Sequence, residues 1–407
     1  MEELNRLVRE EWGRLTALLL ARFRRLDLVE DALGDAVEAA ARRWPSNGAP
    51  ENPSAWVLTA ARRRIIDRLR AEAMHRRRMP LLAVDARRAQ EGPVMADPGG
   101  LVEDELLRLV LMCAHPALAP EAASALSLRL VLGVSTHDIA RLFLVSEPTM
   151  AARLTRAKRK IVGAAIPFAV PSAEDLPSRL ETVARTAYLA FTAGYAPGSG
   201  ADPLRVEVAG EAIRLVRVVR ELVDTPVLDA LLALMLLQHS RRDARADSHG
   251  RIVLLPDQDR SRWHHHEIRE AVTLLDSPSL TGPLSRLAAT YTLQARIAAE
   301  HATAPTSAST RWHRIVEGYD MLLTIDPSPA ARLARAVAVA EAEGPESGLA
   351  ALDAVDLQSH RLPAVRADLL ARLGRSEEAH EEYSHAISLC RNDAELAHLR
   401  EQRDRLA

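Results

Sequence analysis

Residues 136–160 constrain the fold of this chain most strongly, because their sequence predicts two short helices joined by a tight turn. The first helix has an apolar face whose residues recur at helical spacing, Ile139, Ala140, Phe143 and Leu144. Ser146 is a favourable N-cap for the second helix, and Pro148 falls in its first turn, where a missing N–H is tolerated. We interpret the segment as a helix-turn-helix; an ordinary helical hairpin is the alternative.

The second helix of this segment carries basic residues on the side that faces solvent in our interpretation. Met150, Leu154 and Ile161 supply its core stripe, while the two lysines of the chain, Lys158 and Lys160, lie near its end. In a helix-turn-helix such a helix enters the major groove of DNA. A solvated basic face without a ligand is the alternative. The predicted DNA-contacting residues are Glu147, Thr149, Met150, Arg153, Arg156, Lys158, Arg159 and Lys160.

Composition predicts an all-α protein. The 407 residues are 48% hydrophobic but only 3% aromatic, which disfavours a β-sandwich or β-barrel and allows two or three domains with cores of normal size. No apolar run is long enough to span a membrane, and the charged N-terminus does not resemble a secretory signal. The two cysteines suggest no disulfide framework, so we expect a cytoplasmic protein.

The charges are unevenly distributed, although the net charge is only −2. The first 165 residues have an excess of Arg and Lys, with the densest group of arginines between residues 60 and 88. The remainder of the chain is acidic. This asymmetry favours a front half that binds a polyanion, joined to a region that does not bind nucleic acid.

Helical periodicity and breaker residues predict the organisation of the chain. Residues 2–43 should form two amphipathic helices, followed by a loop at 44–53 and a helix that Ser54 caps and that ends near Met74. We predict four segments: a first module (1–75), a flexible basic linker (76–100), a second module with the helix-turn-helix (101–165) and a helical C-terminal extension (179–407).

Several segments carry a family resemblance. Residues 29–35 (VEDALGD), 44–70 (WPSNGAPENPSAWVLTAARRRIIDRLR) and 102–116 (VEDELLRLVLMCAHP), together with the helix-turn-helix, resemble sigma factors of the extracytoplasmic-function (ECF) type in the sigma-70 superfamily. The extension resembles that of a subgroup with a tetratricopeptide-like region. The resemblance implies two helical modules that bind the −10 and −35 elements of a promoter.

The resemblance also implies partners and site residues. The partners would be RNA polymerase core and double-stranded promoter DNA with a melted −10 region. The predicted polymerase-docking residues are Leu28, Asp31, Ala32 and Asp35. The predicted −10 residues are Asn47, Asn52, Trp56, Arg62, Arg63, Arg64, Arg68 and Arg70. For the two asparagines, turn formation is an equal alternative to contact with base edges.

The sequence pattern of the C-terminal extension predicts a helical surface for protein binding. Gly374, Ala379, Tyr383 and Ala386 match the rhythm of small and aromatic residues in a tetratricopeptide repeat, although plain helix packing would use similar residues. We expect the extension to regulate the front half, by intramolecular contact with the two modules. A tethered domain that binds an external partner is the alternative.

No catalytic motif is recognisable, so we predict a protein that is not an enzyme and needs no cofactor. Cys113 with His115, and the run His264–His266, lack the second pair of ligands of a zinc motif, and we expect no metal site. The segment 257–263 (DQDRSRW) is interpreted as a salt-bridged loop or a docking motif. The alternative function is a sigma-like DNA-binding regulator or scaffold that does not engage polymerase.

Overall fold

The computed structural model describes residues 2–77, 99–195, 203–247, 253–390 and 393–406, and it confirms the all-α fold. These residues contain eighteen α-helices. In chain order they are α1 (Glu2–Phe23), α2 (Leu26–Asn47), α3 (Pro53–Arg77), α4 (Gly99–Cys113), α5 (Pro120–Leu130), α6 (Thr136–Leu142), α7 (Glu147–Gly163), α8 (Leu176–Tyr195), α9 (Pro203–Leu222), α10 (Pro226–His239), α11 (His265–Leu275), α12 (Arg286–Thr303), α13 (Trp312–Ile325), α14 (Pro329–Glu343), α15 (Pro345–Leu352), α16 (Arg361–Arg372), α17 (Ser376–Leu389) and α18 (Asp393–Asp404).

The chain folds into two compact units. One comprises residues 1–193 with 214–223, and the other comprises 194–213 with 224–407. The first unit therefore contains both predicted modules and also helix α8, which the sequence pattern assigned to the C-terminal extension. Most of the predicted flexible linker, residues 78–98, lies outside the described residues.

Helices α1, α2 and α3 form the first module around one apolar core. The predicted amphipathic character of α2 is confirmed, since Leu28, Ala32, Leu33 and Ala36 are all buried on one face. They pack against the apolar face of α1 and against Ile65 of α3, which is also buried. Burial of such side chains is the main favourable contribution to a helical core of this kind.

The prediction for the loop after α2 was wrong at both ends. Helix α2 continues through Pro45 to Asn47, so that only residues 48–52 form the loop. Trp44 packs edge-on against Trp56 of α3, with ring centroids 5.7 Å apart, and this contact holds the last turn of α2 in place. Ser54 does not cap α3, because the helix already begins at Pro53 and the side chain of Asn52 accepts a hydrogen bond from Ala55 N–H.

Helices α4 to α7 form the second module, and helix α1 packs against α4 and α5. The closest approach occurs at Gly13 of α1, where a Cβ atom would lie 2.3 Å from the carbonyl oxygen of Val131. No side chain fits at that distance, so a glycine is required at this contact. Helix α8 joins the same unit: the Ser124 hydroxyl of α5 donates a hydrogen bond of 2.8 Å to Thr186 O.

The second unit is built around helix α10. Residues Val227–Leu237 of that helix are all buried, and α10 packs against α11 and α12. From α12 to α18, each helix packs against the next one in the chain, as expected for a linear helical array. Ala379, Tyr383 and Ala386 of α17 are buried, and Gly374 has a φ of +75° in the preceding turn. Among the helices of the described residues, none is long and apolar enough to cross a membrane.

Candidate nucleic-acid interface

Helices α6 and α7 form the predicted helix-turn-helix, and a serine caps each of them. Ser135 accepts a hydrogen bond from Asp138 N–H, and Ser146 accepts one from Thr149 N–H. Leu144 lies in the turn with a φ of +55° and is exposed, so its predicted place on the apolar face was wrong. The caps fix where α7 begins and therefore which of its side chains face outward.

Helix α7 has a buried face and a basic face. Met150, Leu154, Ala157 and Ile161 are buried against the rest of the unit. Met150 is completely buried and cannot touch DNA, so its prediction as a contact residue was wrong. The exposed residues among those predicted to bind DNA are Glu147, Thr149, Arg156, Arg159 and Lys160, while Arg153 is half-buried. Thr149 shares a hydrogen bond of 2.8 Å with the Ser146 hydroxyl, and Glu147 lies 3.3 Å from His137 Nδ1.

Lys158 has a different environment from the other basic residues of α7. Its ammonium group lies 2.5 Å from Glu30 Oε2, across the boundary between the second and the first module. The other oxygen of Glu30 accepts a hydrogen bond of 2.8 Å from Arg129 Nε. The guanidinium group of Arg129 also lies over the ring of Trp12 in α1. One carboxylate of the first module is therefore paired with two cations of the second.

Glu30 is buried, with only 8% of its surface exposed. Burial raises the pKa of its carboxyl group, but hydrogen bonds and charge from Lys158 and Arg129 outweigh burial and leave the pKa below its ordinary value. Glu30 is thus ionised in the folded protein. We had not predicted a role for it, although a carboxylate on the apolar stripe of α2 indicates that a cationic partner is nearby.

Helix α3 places several of its arginines on the surface. Arg62, Arg63 and Arg70 are exposed, while Arg64 and Arg68 point towards α2. Arg64 contacts Asp35 at 2.7 Å; Arg68 contacts Asp31 at 3.0 Å and Asp35 at 3.1 Å. The structure thus brings predicted polymerase-docking residues and predicted −10 residues together on one α2–α3 surface.

The prediction of polymerase docking was wrong for two of the four residues. Leu28 and Ala32 belong to the core of the first module and are not accessible to a partner. The helical pattern could not distinguish an apolar stripe that packs internally from one that binds polymerase. Asp31 is exposed and Asp35 is partly exposed, so the acidic part of the predicted surface is accessible.

The predicted −10 residues outside the arginines fall at the α2–α3 junction. Asn47 is exposed at the end of α2. Asn52 is exposed but uses its side-chain oxygen to cap α3, which supports the turn-forming alternative for this residue. Trp56 is half-buried against Trp44, so it contributes mainly to the packing of the junction.

Comparisons with known proteins agree with this division into modules. Residues 7–74 match sigma-70 region 2, and residues 108–161 match sigma-70 region 4. The chain belongs to the sigma-70 family. Region 2 corresponds to α1–α3, and region 4 covers the end of α4 together with α5, α6 and most of α7. RNA polymerase core and promoter DNA are the partners of a sigma factor, and the basic face of α7 lies within region 4.

A different family model matches the part of this sigma-70 family member that follows region 4. Residues 179–278 match a family of unknown function (DUF6596). The chain is 40% identical over 401 residues to an uncharacterized protein of Rhizobium meliloti (strain 1021), a match that covers 96% of this chain and 92% of that protein. No solved structure matches the chain.

Proposed function

We propose that this sigma factor is of the ECF type and directs RNA polymerase to its own set of promoters. The observation that carries the proposal is the short distance in sequence between the two matched regions. Only residues 75–107 separate them, and an independent domain needs at least about 50 residues. The ECF factors that the sequence resembles have this arrangement, with two modules and no further domain between them.

Within this proposal, α7 reads the −35 element. Arg153 and Arg156 are the side chains for guanine edges in the major groove, because a guanidinium group can donate two parallel hydrogen bonds to one base. Arg159 and Lys160, nearer the end of the helix, contact phosphates and contribute affinity without sequence preference. Lys158 joins them only when its contact with Glu30 is broken.

The α2–α3 surface acts at the −10 element and on polymerase. Arg62, Arg63 and Arg70 are exposed on α3 and suit the phosphates of a partly melted strand. Asn47 and Asn52 lie at the junction where a base could be held out of the stack. Asp31 and Asp35 present carboxylates to a basic partner helix of polymerase, in exchange for their present contacts with α3.

The C-terminal extension regulates the two modules in this proposal. Three hydrogen bonds within the first unit support a structural connection. The Ser124 hydroxyl donates to Thr186 O, and Arg214 of α9 donates to the carbonyl oxygens of Arg9 and Leu132. Residues that lie after region 4 in the sequence thus take part in the packing of both modules.

The decisive experiment is transcription in vitro with purified chain and RNA polymerase core. Genomic fragments that yield transcripts only in the presence of the chain would identify its promoters, and conserved −35 and −10 sequences upstream of the starts are expected. The control is a chain with Arg153 and Arg156 both changed to Ala. A chain that binds these fragments without core polymerase and supports no transcript would instead be a conventional DNA-binding regulator.

A further inference from the structure

Three side chains with metal-binding atoms meet near the C-terminus of the chain. The ligand atoms of His360, Cys390 and Glu395 all lie within 4.8 Å of one another. His360 Nε2 is 2.6 Å from Glu395 Oε2, and the second oxygen of Glu395 lies 3.5 Å from the guanidinium group of Arg361. None of these residues belongs to the proposed DNA-binding or polymerase-docking surfaces.

The three residues come from three different elements of the helical array. His360 directly precedes α16, Cys390 follows the last residue of α17, and Glu395 lies in the first turn of α18. Cys390 is 9% exposed, within a small core formed with Ala367, Tyr383, Ala386 and Leu399. The side chains of His360 and Glu395 are each 20% exposed, so the cluster is mostly shielded from water.

The chemistry of this set is that of zinc. A thiolate, an imidazole and a carboxylate are the three ligand types that Zn²⁺ uses in proteins, whereas Mg²⁺ and Ca²⁺ prefer oxygen ligands and Cu⁺ prefers sulfur. A tetrahedral zinc ion holds its ligand atoms roughly 3.3–3.8 Å apart, so small side-chain rotations suffice to surround an ion. Three protein ligands leave a fourth position for water or an exogenous ligand.

We propose that His360, Cys390 and Glu395 form a site for one Zn²⁺ ion, which fastens α18 to α16 and α17. Each ligand is attached to a different helix or helix end, so coordination would restrict all three at once. Because the ion binds the folded arrangement and not the separated ligands, its binding free energy adds to the stability of this end of the chain. The site is independent of the proposed promoter recognition.

The test uses the full chain without a histidine tag, freed of metal by a chelator, and Co²⁺ alone as a spectroscopic substitute for zinc. We expect one Co²⁺ per chain and a thiolate-to-cobalt charge-transfer band in the near ultraviolet. The band should disappear in Cys390→Ser and persist in Cys113→Ala, which removes the other cysteine of the chain. A wild-type chain that takes up no Co²⁺, or a band that persists in Cys390→Ser, would overturn the proposal.

Two further variants keep the test decisive if Cys390→Ser does not fold. His360→Gln and Glu395→Gln should each weaken Zn²⁺ binding roughly 10- to 100-fold, a loss seen even for outer-shell partners of a metal. A chain with both His265 and His266 changed to Ala controls for adventitious binding to the histidine run and should retain the Co²⁺ band. Unchanged Zn²⁺ affinity in both glutamine variants would place the metal elsewhere and overturn the proposal.

Discussion

The ammonium group of Lys158 lies 2.5 Å from a carboxylate oxygen of Glu30, so that the helix-turn-helix of region 4 is bonded to the second helix of region 2. Arg129 holds the other oxygen of the same carboxylate. Glu30 is buried, and removal of one partner from a buried ionic group leaves the others uncompensated. Both of these cations of region 4 are therefore paired with one glutamate of region 2.

Replacement of Glu30 by Gln should destabilise the first unit by about 2–4 kcal/mol. The expected value extends below the range of about 3–5 kcal/mol for a broken buried ion pair, because Lys158 keeps partial access to water. Urea unfolding of the full chain, followed at the first transition, measures the change. Glu38→Gln is the matched control: within the described part of the chain Glu38 pairs with exposed Arg42, and its replacement should change the free energy of unfolding by less than about 0.5 kcal/mol. Equal effects of the two variants would contradict a special role for Glu30.

The same contact predicts a dependence of stability on pH. The pKa of Glu30 is lowered in the folded state from its ordinary value of 4.5, so its contribution is fully present above that pH. As the pH falls below 4.5 and through the folded pKa, the carboxylate binds a proton and the contribution is lost. The stability difference between the wild type and Glu30→Gln should therefore be constant near neutrality and shrink in acid. A difference that grows as the pH falls would show that the glutamate is not held in its ionised form.

The basic face of α7 should divide into specific and non-specific contacts. Arg153→Ala or Arg156→Ala should weaken holoenzyme binding to a cognate promoter by roughly 1–3 kcal/mol and relax base preference at one position. Lys160→Ala should weaken binding to all DNA sequences alike. It should also reduce the slope of the logarithm of the binding constant against the logarithm of the salt concentration by about one. Fluorescence anisotropy at several salt concentrations measures both quantities, with Arg332→Ala, at an exposed position of α14, as the control. Identical behaviour of all four variants would remove α7 from the interface.

The carboxylates of Asp31 and Asp35 should be needed for binding to polymerase. Reversal of both to Arg should abolish holoenzyme formation, measured by co-purification with core polymerase. Because these carboxylates also contact Arg64 and Arg68, reversal will introduce repulsion at the α2–α3 surface as well. The chain should still fold, since exposed ion pairs contribute only about 0–1 kcal/mol each.

A charge-swapped chain separates these two effects. When Arg64 and Arg68 are also changed to Asp, the internal pairs are restored with opposite polarity, and the free energy of unfolding should return towards the wild-type value. Holoenzyme formation should remain lost, because the partner now meets the wrong charge. Recovery of polymerase binding in the swapped chain would mean that the carboxylates serve the fold and not the partner.

Removal of the C-terminal extension should change transcription, and the position of the truncation should matter. A chain that ends at residue 178 loses most of α8, including Thr186 and its contact with Ser124, whereas one that ends at 223 keeps the residues that belong to the first unit. We expect altered promoter activity in both and lower stability of the two modules only in the shorter chain, measured by run-off transcription and thermal unfolding. Wild-type activity in the chain that ends at 223 would leave the remainder as a passive or externally directed module.

The sequence predicted the helices of both modules well, because their apolar residues recur at helical spacing and are buried as expected. It predicted the end of α2 poorly. Pro45 suggested a break, but a proline in the last turn of a helix removes only one hydrogen bond, and the contact of Trp44 with Trp56 keeps that turn formed. A contact between residues on different helices is not visible in the pattern of either helix.

The contact between Glu30 and Lys158 could have been suspected from the sequence. Each of the two residues lies four positions after one buried apolar residue and three positions before another, so each adjoins the apolar stripe of its own helix. The neighbours of Glu30 are Leu26 and Leu33, and those of Lys158 are Leu154 and Ile161. Charged residues of opposite sign at such positions are candidates for a buried pair. Their pairing still required knowledge of which helices meet. The cluster of His360, Cys390 and Glu395 was missed for the same reason, because its members come from three separate segments.

Because Gly13 has no side chain, the packing surfaces of region 2 and region 4 must change together during evolution. Helix α1 can approach Val131 so closely only because no Cβ atom stands between them. A region 2 from another family member that carries a larger residue at this point would not fit against this region 4 without a shift of the backbone. Natural recombination or laboratory chimaeras would therefore have to transfer both surfaces together, and the pair should evolve as one unit.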